Sequence, residues 1–429
     1  MPTGETPKTP VRCPVSVNDP ELTADPYRGF SRIREEAPVT LGTLADGRNI
    51  WVVTRYDDVT GVLTDSRFVS NSRSVPGSTT DRHAASLTWL GLPEELIPYL
   101  SRAITQLDPP DHTRLRKLVT RVFSAHRVAA LRPRIRTLTR ELVDALPGHA
   151  VDGTVDLVEH FAQPLPVTII CELIGVPACD RAMWLRWSHD YSDALRLKNT
   201  LIQATAYLRE LVAKRRVEPA DDLLTALIQA RGEDGEGLSE TEVVTMAFHL
   251  VVSGHGTTSG VIGNSVLALL THPDQLALLR SDPELIPGAV QELLRWRSSV
   301  VFGKARYATE DVRVADTLIS RGDVVLPVQG AANHDPRHFP DPERLDITRR
   351  PDGTGVQHVA YSRGPHYCLG AMLANQEVEL ALETLFGRFP GLALAVPEKE
   401  LTWRPVPGTR QLDRLPAVLG AGASEAASR

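Results

Sequence analysis

The decapeptide Tyr361-Ser362-Arg363-Gly364-Pro365-His366-Tyr367-Cys368-Leu369-Gly370 runs directly into AMLANQEVELALETLFGRF, residues 371–389. The second stretch carries apolar residues at helical spacing and predicts an amphipathic helix of about 18 residues. Gly364-Pro365 and Gly370 predict a tight loop ahead of it. Cys368 therefore stands just before a helix N-terminus, where unpaired amides and the helix dipole favour a negative sulfur. Arg363 and His366 beside it are expected to lower the thiol pKa further. Such a place suits a thiolate that ligates a metal or attacks. A cysteine without it is usually only a small buried hydrophobe.

Cys13, Cys171 and Cys179 lack that setting and read as inert thiols. The four cysteines suggest neither a disulfide framework nor a Cys/His zinc cluster. Across 429 residues, 42% hydrophobic and 23% charged composition excludes a mostly disordered chain. Lys+Arg 47 against Asp+Glu 53 gives −6, so no global positive field draws the protein to nucleic acid or anionic membrane. No apolar run of roughly 18 residues is present, and the N-terminus lacks the apolar core of a signal peptide. A cytoplasmic location is expected. Length alone allows two or three domains.

The texture is mainly helical, as in residues 127–146 and 200–217, with short β-like runs at 49–54 and 313–328. The expected fold is mainly α with small β-sheets. Residues 70–86, 231–237 and 333–365 read as loops, and residues 1–20 and 420–429 as frayed ends. Ser239 followed by Glu242 is a capping-box signature that opens helical sequence running to about Leu270. Its middle, Ser253-Gly254-His255-Gly256-Thr257-Thr258-Ser259-Gly260, contains three glycines. Either two helices meet at a hinge, or one helix is opened for a flat cofactor beside Gly254 and Gly256, with the Thr257 and Thr258 hydroxyls holding water.

Taken in order, these residues resemble the bacterial cytochrome P450 monooxygenases. Tyr361, Ser362, Gly364, His366, Cys368 and Gly370 follow that family's haem-binding signature, with Tyr for Phe and Ser for Gly. The octet 253–260 is similar to its oxygen-binding helix, and Glu292-Leu293-Leu294-Arg295 to its Glu-x-x-Arg helix. Residues 107–116, 306–311, 333–344, 25–27 and 51–56 match further segments, so the likeness spans almost the whole chain. It implies one haem domain over residues 1–429, with residues 333–365 as the family's meander.

The resemblance implies Cys368 as ligand of haem b iron, with the amides of Leu369 and Gly370 steadying the sulfur and Gly364 shaping the loop. His112, Arg116, Arg306 and His366 would bind the propionates. Glu292, Arg295 and Arg344 would form a buried network. Thr257 keeps the family's threonine, but its preceding acid is Gly256 here. Thr258, His255, water or a substrate hydroxyl would then relay protons, with His255 alternatively a packing residue. Substrate contacts implied by position are Leu87, Trp89, Leu90, Ala247, Phe248, Val251, Val300, Val301, Phe302 and Thr409, mostly apolar and suited to a bulky hydrophobic scaffold. Without a flavin or nicotinamide fingerprint, electrons would come from ferredoxin and ferredoxin reductase, docked on Arg114, Lys117, Arg121 and Arg363. The implied reaction is hydroxylation or epoxidation of an antibiotic-type secondary metabolite with O2. Gly256 leaves open oxidative cyclisation, coupling or peroxide use, and a non-catalytic haem protein is the reading of another class.

Overall fold

The computed structural model describes residues 15–17, 19–44, 47–190, 193, 195–232, 235–349, 356–406 and 408–420. Helices dominate. The main core runs from Leu92 to Leu419 and gathers side chains from most of them. At its centre lies one helix of 32 residues, Glu240–Thr271. The capping box is made in full: Ser239 Oγ accepts from the Glu242 amide, and Glu242 Oε2 accepts from the Ser239 amide. Two orphan donors of the first turn are thereby satisfied.

The octet 253–260 does not break this helix, which corrects both the hinge and the opened-helix expectations. The hydroxyls of Thr257 and Thr258 donate to the carbonyls of Ser253 and Gly254, at 2.8 and 3.0 Å, inside an unbroken backbone ladder. Packing accounts for two of the glycines. A Cβ on Gly254 would stand 3.3 Å from Ile170, and one on Gly260 2.7 Å from Ser299. Tertiary contact thus outweighs the roughly 1 kcal/mol that each glycine costs a helix.

Six short strands form the larger sheet, in the order Val15–Ser16, Val39–Thr43, Asn49–Val53, Val324–Pro327, Arg306–Ala308, Phe68–Val69. Val15 pairs with Gly42, where a Cβ would stand 2.8 Å from the Val15 carbonyl oxygen. Residues 15–17 and 19–20 are therefore structured, contrary to the frayed end expected through residue 20. Residues 1–14, with Cys13, and 421–429 lie outside the described residues. A hairpin, Val312–Val314 with Thr317–Ile319, and a three-stranded sheet, Ala393–Leu394, Pro416–Val418 and Thr154–Asp156, complete the β-structure. The expected loop 70–86 instead contains a short turn of helix at Ser72–Ser74 and the start of Arg82–Trp89. The helix predicted after the cysteine loop is Ala371–Arg388.

Candidate active site

The cysteine loop is held from both sides. Gly364 has φ +69°, and a Cβ there would stand 2.7 Å from the Leu63 carbonyl oxygen. Its place is at the packing of the loop on Tyr56–Thr64, not on the cavity wall. The Cys368 amide donates to the Tyr361 carbonyl at 2.9 Å, closing the loop. The sulfur is unbridged and faces a cavity of about 300 Å³. Burial pushes the thiol up from its ordinary value. Hydrogen bonding from Gly370, the charge of Arg116 and hydrogen bonding from Ala371 pull it down. Burial wins, so the thiol stands above its ordinary value, contrary to the lowering expected from Arg363 and His366; Gly370 and Ala371, rather than Leu369, supply the hydrogen bonds to it. Arg363 donates to the Tyr56 hydroxyl at 2.7 Å and lies over its ring. His366 is pulled to about 3, by burial first and then by the charge of Arg306 and other groups, and so stays neutral.

His112, Arg116, Arg306 and His366 all reach this cavity, as do Leu369 and Gly370. The rings of His112 and His366 lie 4.3 Å apart. His366 Nε2 is 2.9 Å from Ser70 Oγ, whereas His112 Nε2 is buried without a partner. Among the described residues, neither Arg116 nor Arg306 has a carboxylate within ion-pair distance. A buried guanidinium, a half-buried one and an orphaned ring nitrogen beside a cysteine fit a flat group that bears carboxylates and takes sulfur on its metal. The donor set therefore suits a haem.

The long helix forms the facing wall through Met246, His249, Leu250, Ser253, Gly254, Thr257, Thr258 and Val261. That i, i+3, i+4 progression is one helical stripe. Gly256 lies off it, with open space within 4 Å of where a Cβ would stand. His255 is buried away from the cavity with Nδ1 2.6 Å from the Val251 carbonyl, the packing role allowed for it.

Of the ten expected substrate contacts, only Val300 lines the cavity. Ala247, Phe248 and Val251 occupy another face of the helix and pack into the core. Val301 and Phe302 pack with Phe30 and the first sheet, and Thr409 bridges to Val300. Leu87 and Leu90 lean on the core from outside, and Trp89 is 88% exposed. On the long helix the cavity meets Met246, His249 and Leu250 instead. Lys304, His249, Gln329 and Glu377 also line the cavity and were not singled out. Lys304 had a readable signal, two residues before Arg306 in extended sequence, and His249 stands four before Ser253.

Glu292 and Arg295 are fully buried and paired at 2.7 Å. Their third charged partner is Arg349, whose Nε lies 3.0 Å from Glu292 Oε1, and not Arg344. Arg344 offers only its carbonyl to Arg295, and its side chain is 68% exposed. Arg295 also donates to the carbonyls of Asn333 and Pro342, tying the helix to the following segment. Of the expected docking cations, Arg114 is paired with Glu242, while Lys117 and Arg121 are exposed on Asp111–Val122.

The Cytochrome P450 family profile matches residues 182–400. Cytochrome P450 107B1 of Saccharopolyspora erythraea is 43% identical over 406 residues, covering 94% of this chain and 97% of that protein. Cytochrome P450 monooxygenase PikC of Streptomyces venezuelae is 40% identical over 92% of this chain and 91% of its own. The solved structure of the bacillaene polyketide synthase cytochrome P450 PksS of Bacillus subtilis superposes with a TM-score of 0.85 at 34% identity, over 94% of this chain and 99% of that one. No helix among the described residues is long and apolar enough to cross a membrane. With sequence, cavity and full-length relatives in agreement, the chain belongs to the cytochrome P450 family of haem-thiolate monooxygenases.

Proposed function

We propose that this enzyme binds haem b and uses O2 to hydroxylate or epoxidise a bulky, fairly hydrophobic secondary-metabolite scaffold. Electrons would come from a ferredoxin and its reductase, and residues 1–429 would form one haem domain. The observation that carries the proposal is the single cavity joining Cys368 to an apolar wall interrupted by Thr257. Relatives named 6-deoxyerythronolide B hydroxylase and Mycinamicin IV hydroxylase/epoxidase, 39% and 40% identical, support the substrate class.

A bound haem iron supplies the chemistry of O2 activation and transfer of an oxygen atom to substrate. Cys368 Sγ would hold the haem iron as a thiolate, with the Gly370 and Ala371 amides steadying its charge. Arg116 and Arg306 would pair with the haem carboxylates, and His112 and His366 would add hydrogen bonds to them. The Thr257 proton is committed to the Ser253 carbonyl, which leaves its oxygen lone pairs to accept from a water or a substrate hydroxyl in the cavity. Ile104, Ile170, Leu250, Val261 and Leu294 keep bulk water from the reacting centre. Lys117 and Arg121 offer the exposed positive charge that an acidic ferredoxin would meet.

Gly256 favours a second reading, peroxide-driven oxidation or oxidative ring closure and coupling at the same haem. With no carboxyl ahead of Thr257, protons are less tightly metered. The test common to both readings is the carbon-monoxide difference spectrum of reduced protein. A red-shifted Soret band that Cys368→Ala abolishes is the expected result. Haem-free protein, or the same band in the variant, overturns the proposal. Product analysis with ferredoxin and reductase, and then with peroxide, separates the two readings.

A further inference from the structure

Arg116 and Arg306 already match the two carboxylates of a haem, and His112 and His366 add neutral donors. The cavity nevertheless holds one more cation, Lys304. Its side chain opens into the cavity space, close before Arg306. Among the described residues, no carboxylate lies within ion-pair distance of it. Glu377 is the one carboxyl lining this cavity among the described residues, and burial raises its pKa well above the ordinary value.

The Lys304 charge acts on His249 and His83 as well as on His366. Lys304 lines the same cavity as Arg306 and His366 and as the stripe His249, Ser253, Thr257 of the long helix. Burial and the charge of Arg306 pull it down to about 7, as expected of a cation left without a counter-ion. The Lys304 side chain is exposed to the open cavity, where its ammonium can meet an anion.

We propose, on the haem-thiolate reading above, that Lys304 and His249 form an anion-recognition site and that the substrate carries a carboxylate. The Lys304 ammonium pairs with that carboxylate and the neutral His249 ring donates one hydrogen bond to it. The apolar remainder of the substrate then lies along the wall toward Thr257. Burial favours the neutral form of Glu377, the acid this cavity offers to a protonated amine, so cationic substrates are disfavoured.

Three probes of equal chain length test this in haem-loaded protein through ligand-induced shifts of the Soret band. They are dodecanoate, methyl dodecanoate and dodecyltrimethylammonium, the last unable to ligate iron, all kept below micelle-forming concentrations. Dodecanoate is expected to bind at least tenfold more tightly than the ester, and the quaternary amine more weakly than either. Lys304→Met removes the preference and leaves ester binding unchanged, while Lys304→Arg retains it. Equal binding of acid and ester, no binding of either, or an unaltered dodecanoate Kd in Lys304→Met overturns the proposal. So does loss of haem, or a displaced carbon-monoxide band, in Lys304→Met without ligand, because the lysine then serves the propionates. The wild-type carbon-monoxide band reports on the haem-thiolate reading separately, so the two failures are distinguishable.

Discussion

Three residues near the reacting centre show how backbone geometry and space set what a side chain can be. Ser362 occupies the left-handed region at φ +64°, two residues before Gly364. A glycine there relieves about 1 kcal/mol of strain, partly offset by its greater freedom when unfolded. Ser362→Gly is therefore expected to raise the thermal midpoint slightly. Gly364→Ala combines a positive φ with a contact to Leu63 that cannot relax, since the obstructing atom is backbone. It should lower stability by on the order of 2 kcal/mol and weaken haem retention, measured by melting and by haem absorbance. Gly256 is the opposite case, with room for a larger side chain. Gly256→Glu is expected to stabilise the helix by about 0.5 kcal/mol and to raise the yield of product per reductant consumed. A fall in yield would show that this enzyme's proton supply does not depend on an acid at that position. At this scale Cys368 was legible because glycine, proline and a helix start surround it. The convergence of His112, Arg116, Arg306 and His366 was legible only through the family pattern, because those residues are far apart in the chain.

Among elements, the long helix was read correctly in extent and wrongly in orientation. Its capping box and its end before Pro273 are local signals. Which stripe meets the cavity depends on how the helix is rolled against Pro164–Ile174 and Ile286–Arg297, and a helix apolar nearly all round carries no such mark. The substrate positions were missed for that reason. The third member of the Glu292–Arg295 network was missed for another: both Arg344 and Arg349 are plausible by distance in sequence, and only the path of the segment puts Arg349 against Glu292. The consequence is a contrast. Arg295→Ala leaves the buried Glu292 with Arg349 as its remaining guanidinium and frees the Asn333 and Pro342 carbonyls, and should cost about 3 kcal/mol, whereas Arg344→Ala should change stability by less than about 0.5 kcal/mol, both by denaturant unfolding. Equal losses would return Arg344 to the network.

Charge acts over the whole molecule. Glu35 is held down to about 2, from an ordinary 4.5, chiefly by the Arg337 guanidinium at 2.8 Å, which joins Pro26–Glu36 to the segment after Asp335. A carboxyl depressed on folding stabilises above its unfolded pKa, and that contribution is lost as pH falls from about 4.5 to 2. The wild type is expected to melt higher than Glu35→Gln at pH 7, with the gap closing across that window. Docking is the other global effect. Reversing the exposed Lys117 and Arg121 together should slow reduction by ferredoxin at low salt and leave peroxide-supported turnover intact. The pairing of Val15–Ser16 with Gly42 and Thr43 has a consequence for solution behaviour. Those two residues cap the open margin of Val39–Thr43, whose amides and carbonyls would otherwise be free to recruit a neighbouring chain. Proteolytic trimming to Asp19 is thus expected to leave the haem spectrum unchanged and to promote concentration-dependent self-association, seen as faster sedimentation.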